Sequence, residues 1–137
     1  MIESVKLEGV SIPHVVEASV KVETPADERG IFREPTLAAM VHIVRDASDF
    51  AIIDLFGFAT NTDGRKNILT NGVLDFVSDD TGEQYSFNLK KYIVTGWTLK
   101  NPVLPNEPTL ESIDIRAGQI EFKAGGGGAE FELDTFK

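Results

Sequence analysis

The sequence has no cysteine among its 137 residues, which excludes disulfides, thiolate metal sites and a cysteine nucleophile. Histidine is nearly as scarce. His14 and His42 stand alone, with no H-x-x-x-H or H-x-H spacing, so a zinc site has no ligand set to start from. Basic charge is short as well: 13 Lys and Arg face 22 Asp and Glu, for a formal net charge of −9. That balance argues against direct nucleic-acid binding, which rests on neutralising phosphates, and an acidic surface also repels an anionic membrane. No run approaches the ~18 apolar residues of a membrane helix, so no membrane insertion is expected. The opening "MIESVKLEGV" carries Glu3 and no apolar stretch, unlike a signal peptide. There is no G-x-S-x-G elbow and no defensible Ser/His/Asp arrangement. No enzymatic activity and no cofactor are expected.

What is present is ordinary globular material, 42% apolar and 26% charged. The length fits one domain over 1–137, large enough to bury about two-thirds of its unfolded surface. Alternation dominates. "ESVKLEG" puts Val5 and Leu7 on one face, and "HVVEASVKVET" puts Val16, Ala18, Val20 and Val22 opposite Glu17, Lys21 and Glu23. "PTLAAMVHIVRD" aligns Leu37, Ala39, Val41 and Ile43, with Met40, His42 and Val44 on the other face, a strand covered on both sides over part of its length. In "ILTNGVLDFVSDD", Leu74 and Phe76 share a face and Gly72 marks a possible bulge. The longest strand, "EQYSFNLKKYIVTGWTLKN", has Tyr85, Phe87, Leu89, Ile93, Trp97 and Leu99 at odd positions. Lys91 interrupts that face while Tyr92 and Val94 are apolar on the other, which implies a bulge or a subunit contact. "TLESIDIRAGQIEFKA" changes phase across Gly118, again the mark of a bulge.

One segment breaks the alternation. In "DASDFAIIDLFGFATN", Ser48 is placed to cap a helix, Asp49 suits its positive end, and Phe50, Ile53 and Phe56 recur near helical spacing. These signals predict a short helix over about 48–58, with Gly57 a possible end, plugging one end of a barrel or sandwich. Asp63-Gly64 and "DDTGEQ" read as tight turns. The expected fold is mainly β: a small antiparallel β-barrel of two packed sheets with one short α-helix.

Two features invite a functional reading. Four glycines, Gly125 to Gly128, lie between "IEFKA" and "AEFEL". A phosphate-cradling loop needs a helix behind its glycines, and here a strand comes next, so the run is the tip of a hairpin between Phe122 and Phe131. The charged "VETPADERGIFREPTL" is a long connection for a compact domain, and Ile31 and Phe32 sit within it between Arg29 and Arg33. Apolar residues set among charges suit either docking or a decorative arm. The carboxylates Asp75, Asp79, Asp80 and Glu83 lack the spacing of a calcium loop and read as a solvated acidic turn. His42, opposite the apolar face, reads as a packing or surface residue, and Trp97 as core.

The order of the pieces "PTLAAMVHIVRDASDFAIIDLFGFAT", "NGVLDFVSDDTGEQYSFNLKKYIVTGWTL" and "PTLESIDIRAGQIEFKA" resembles the haemolysin-coregulated proteins (Hcp) of type VI secretion and the phage tail tube proteins. "ESIDIRAGQIEF" fits the family's penultimate strand, and "VKLEGV" and "VVEASVKVE" its opening strands. The Gly125–Gly128 run with an added "AEFELDTF" strand departs from most members. The resemblance implies a structural subunit of hexameric rings stacked into the inner tube of a contractile injection machine. It implies sheath and spike proteins and secreted cargo as partners. It also implies a stay in the bacterial cytoplasm before assembly, then release without a signal peptide or a place in a virion tail. Arg29, Ile31, Phe32 and Arg33 then become a candidate ring-stacking loop. Rival readings are a small-ligand-binding β-barrel, which Trp97, Phe87 and Phe76 are large enough to fill, and a hydrolase using two converging carboxylates.

Overall fold

A computed structural model describes residues 2–23, 38–48, 54–60, 68–102, 104–124 and 127–132. Among these residues, eight strands and one helix run in the order β1 (Ile2–Leu7), β2 (Val10–Ser11), β3 (Val15–Glu23), β4 (Ala38–Asp46), α1 (Asp54–Thr60), β5 (Gly72–Val77), β6 (Gln84–Lys100), β7 (Leu110–Ala124) and β8 (Gly127–Glu132). The strands form one antiparallel sheet ordered β2-β1-β5-β6-β7-β4-β3, with β8 also on β7. The two layers expected from the sequence are therefore halves of one sheet, rolled until β1 touches β3. The link between β2 and β3 stitches the closure. Ile12 N–H donates to Val5 O at 2.9 Å, and Asp46 N–H donates to His14 O at 2.8 Å.

Alternation predicts the core wherever the ladder is regular. Val5, Leu7, Ala39, Val41, Ile43, Leu74, Leu89, Ile113 and Ile115 are all buried. Where residues are inserted, the phase changes. Lys90 and Thr95 are extra residues on β6, and Gly118 is an extra residue on β7, as the partners Leu89↔Ile120, Lys91↔Gln119, Tyr92↔Ala117, Val94↔Ile115 and Gly96↔Asp114 show. The bulges expected near Lys91 and at Gly118 are both present. They turn Tyr92, which is fully buried, and Val94 to the core side with Leu89, not to the opposite face that strict alternation assigns them. Leu99 ends up exposed. Likewise, a register shift between Val15 and Glu17 puts Val15 with Ala18 and Val20 against the core and leaves Val16 58% exposed.

Gly72 is no bulge. It pairs in register with Leu7 and Leu89. A Cβ there would meet Leu89 at 3.1 Å and Tyr92 at 3.2 Å, so glycine lets the strands and the Tyr92 ring approach. The turn after β5 forms as expected, with Gly82 at φ 70 and Ser78 N–H bonded to Glu83 O at 2.9 Å. Ala124 pairs with Gly127 and Lys123 with Gly128, so the hairpin is present but Gly127 and Gly128 belong to β8, not to its tip. Asp63-Gly64 lies outside the described residues.

The expected short helix is present as Asp54–Thr60 and runs on through Gly57 and Phe58; its buried side chain is Leu55, whereas Phe56 is 46% exposed. Phe50 and Ile53 lie outside the described residues. The Ser48 hydroxyl accepts from Thr109 N–H at 3.0 Å, which ties the end of β4 to the start of β7. The helix lies over β6 and β7. No helix among the described residues is long and apolar enough to cross a membrane.

One end of the barrel is fastened by a residue the sequence reading passed over. Glu8 and Gly9 form the two-residue turn between Leu7 and Val10, with φ of 52 and 80, the left-handed pair that a hairpin of this length requires. Glutamate is a poor choice for that conformation, and its carboxylate compensates. Glu8 Oε1 accepts from Thr70 N–H at 3.0 Å, from Asn71 N–H at 2.9 Å and from the Tyr92 hydroxyl at 3.1 Å. Burial, reinforced by the Glu8 charge, pushes the Tyr92 phenol above its ordinary value. The folded state thus favours the protonated phenol, and this stabilisation holds below the unfolded value of about 10 and is lost as pH rises beyond it. Tyr92→Phe is expected to lose ~0.5–1.5 kcal/mol at neutral pH through the missing hydrogen bond. It should also show a shallower fall in stability between about pH 9 and about pH 11 than the native chain. Urea unfolding across that range measures both, and an unchanged alkaline slope contradicts the assignment.

Candidate assembly surfaces

On the outer face of β3, β4 and β7, side chains line up in rows set by the register. Lys21, Met40 and Arg116 form one row; Ser19, His42 and Asp114 the next; Glu17, Val44 and Ser112 a third. Met40 is 40% exposed while Val44 is buried, so this face is covered over part of its length, as its apolar residues suggested. His42 is where the sequence put it, opposite Val41 and Ile43. Its Nδ1 lies 2.6 Å from Asp114 Oδ1, with both side chains close to half exposed. Gly96 is the residue opposite Asp114 on β6. His14 is on the link into β3, at φ 60.

The face of β1, β5, β6 and β7 is different in chemistry. Ser4, Asp75, Ser86 and Lys123 form one cross-strand row, and Ser4 Oγ donates to Asp75 Oδ2 at 2.9 Å. With Lys6, Phe76, Gln84 and Tyr85 they line an open groove of about 610 Å³. The rings of Phe76 and Tyr85 stack at 5.4 Å, 9° from parallel, and join Phe87 and Phe122 in an aromatic group at this end of the barrel. Next to the groove, Asn88 Nδ2 donates to Glu121 Oε1 at 3.0 Å and Lys123 Nζ lies 3.2 Å from the same oxygen. The Asn88 hydrogen bond, then Lys123, holds the Glu121 carboxyl below the usual carboxylate range.

Asp79, Asp80 and Glu83 are exposed on the β5–β6 turn, apart from the half-buried Asp75. Among the described residues, no three His, Asp or Glu side chains gather closely enough to hold a metal ion. Arg29, Ile31, Phe32 and Arg33 lie outside the described residues.

Sequence reasoning missed a buried charged group beneath α1. Arg45 and Glu111 are 1% and 0% exposed, and Arg45 Nε donates to Glu111 Oε1 at 2.6 Å. Trp97 Nε1 donates to Glu111 Oε2 at 3.0 Å, and its ring meets Phe56 of α1 edge-on at 4.9 Å. Trp97 is accordingly half-buried and polar-anchored, packed against the core but not wholly within it. Arg45 Nη2 is buried without a hydrogen bond. The signal was in the alternation: Arg45 shares the phase of Val41 and Ile43, and Glu111 that of Ile113 and Ile115.

A buried pair of this kind couples its members strongly. Arg45→Met alone is expected to cost ~3–5 kcal/mol, because Glu111 is left charged and dry. Adding Glu111→Leu should recover part of that loss in denaturant melts. Strictly additive losses would show that the two charges do not depend on each other.

No family model matches the sequence, and no curated protein matches it. Solved structures do. Hcp1 from Flavobacterium johnsoniae superposes with a TM-score of 0.62 at 18% identity, over 96% of this chain and 99% of that one. A type six secretion system protein superposes at 0.60 and 15% identity, over 98% and 96%. The sheath-tube complex of an extracellular contractile injection system, PVC, in its extended state, superposes at 0.57 and 15% identity, over 89% and 88%. With its rolled antiparallel sheet, long β6–β7 ribbon and short helix α1, the chain has the fold of the Hcp and contractile tail-tube proteins.

Proposed function

We propose that the chain is a structural tube subunit: copies close into hexameric rings, and the rings stack into the inner tube of a contractile injection machine of the type VI secretion or phage-tail kind. The observation that carries this reading is the end-to-end match of fold to Hcp1 and to a contractile sheath-tube complex, at nearly the full length of both partners. Supporting it, apolar side chains stand outside the closed sheet, among them Met40 on β4, Phe56 on α1 and Leu104 beyond β6. Such residues gain when a sister copy covers them. The partners are sheath and spike proteins around and ahead of the tube and cargo passing through it. The chain carries out no reaction of its own, resides in the cytoplasm before assembly, and leaves with the machine or remains in a virion tail. Purified protein should show rings by negative-stain microscopy and a mass several times that of one chain. A strictly monomeric species at high concentration contradicts the proposal.

The stacking loop is assigned to Arg29, Ile31, Phe32 and Arg33 on its length and its apolar pair among charges. Phe32→Ala, or charge reversal at Arg29 and Arg33, should shorten stacks while leaving rings and the thermal transition in place. Tubes of native length from these variants contradict that assignment.

A further inference from the structure

β8 is held on the barrel by one neighbour. Among the described residues it touches β7 and no other element, through six pairs from Gln119↔Glu132 to Ala124↔Gly127. Its own sequence, Gly-Gly-Ala-Glu-Phe-Glu, does little to keep it extended. Gly, Ala and Glu are all depleted in strands, and Phe131 alone is of a type enriched there. The pairing of Ala124 with Gly127 leaves Gly125 and Gly126 to join the two strands, enough for a two-residue hairpin connection. Gly127 and Gly128 lie beyond that requirement, inside the ladder, where glycine weakens a strand. A run of four glycines suits a hinge better than a permanent hairpin.

The place that β8 fills is specific. Gln119–Ala124 of β7 has β6 along one edge and β8 along the other, while β4 reaches only Ala117. With β8 lifted away, that edge is a row of unpaired backbone groups, the kind of edge that accepts another strand. Ile120, buried on this stretch, is paired with Phe131, so a replacement strand needs an apolar residue at that register position.

We propose that β8 is an exchangeable arm: in the assembly it leaves its own β7 and pairs with Gln119–Ala124 of a second copy, turning about Gly125–Gly128. The occupant is the β8 of a sister chain because the register of that fit already exists within one molecule, and exchange of an identical element rebuilds the ladder it breaks. The pairs of Ala129–Glu132 are remade in full, while Gly127 and Gly128, which bring no side chain, are free to lengthen the hinge. Drawn out, four glycines span about 13 Å at ~3.3 Å per residue, more than the ~10 Å between packed sheets. Each copy gives one strand and receives one, so the contact runs head to tail and continues from copy to copy. The inference rests on the tube-subunit reading for the neighbour that supplies the second strand.

Thiol crosslinking tests it, since the chain has no cysteine of its own. Glu121 and Glu130 are directly opposed, and opposed residues of an antiparallel pair stand ~4.5–5.5 Å apart at Cα, within disulfide range. The full chain carrying Glu121→Cys and Glu130→Cys is purified reduced, assembled and then oxidised. Non-reducing gels should show dimers, trimers and longer ladders, with peptide mapping joining positions 121 and 130 of different copies. A 1:1 mixture of the two single variants should give linked dimers at least tenfold above either variant alone, and this mixture carries the test if the double variant fails to fold. If the native chain assembles, yet the double variant closes only internal crosslinks and the mixture gives none, β8 stays on its own β7 and the exchange is wrong, while the tube-subunit reading stands. Linked dimers without rings uphold the exchange and overturn the tube reading. A native chain that is monomeric at every concentration overturns both.

Discussion

The arrangement of this molecule depends on the ladder between β6 and β7. It is the longest pairing in the sheet, extending from Tyr85↔Ala124 to Lys100↔Leu110. It gives β5 one edge on which to pair and gives both β4 and β8 the other. A regular ladder of that length would put each strand's apolar residues on one fixed face along its whole run. Three inserted residues prevent this. Each reverses the in–out sense of the residues beyond it and adds local twist, so one ribbon supplies the core at both ends of a closed barrel.

The same insertions explain what the sequence disclosed and what it withheld. Regular strands were legible because their period survives: Val5 with Leu7, Val41 with Ile43, Leu74 with Phe76. The presence of bulges near Lys91 and at Gly118 was legible too, as interruptions of phase. Their effect on Tyr92 was not, since a period-2 reading has no way to choose which side an inserted residue displaces. Val15 and Val16 exchanged roles for the same reason. The resemblance to tube proteins rested on the order of elements and survives such local errors, because strand order is insensitive to a single-residue slip.

Polar chemistry was harder to read. The acidic surplus drew attention to exposed turns, whereas the carboxylates that matter most to this structure are Glu8 and Glu111. Glu111 looked like an ordinary charged position on a strand, although its phase placed it inside with Arg45. Glu8 looked like the end of a strand, because nothing in "KLEGV" announces that one of its oxygens will gather donors from a distant loop and from Tyr92. Both carboxylates act across long stretches of chain, and local patterns carry no information about that.

Gly118 has a mechanical consequence. On one side it is the residue that β6 skips; on the other it falls between Ala117, where the pairing with β4 stops, and Gln119, where the pairing with β8 starts. Among the described residues it is thus the one position in β7's interior with no in-register neighbour on either flank, a crease between the layer of β3 and β4 and the layer ending in β8. With no Cβ, that residue takes backbone angles closed to other residue types, so the two layers can change their mutual angle there at the least steric cost.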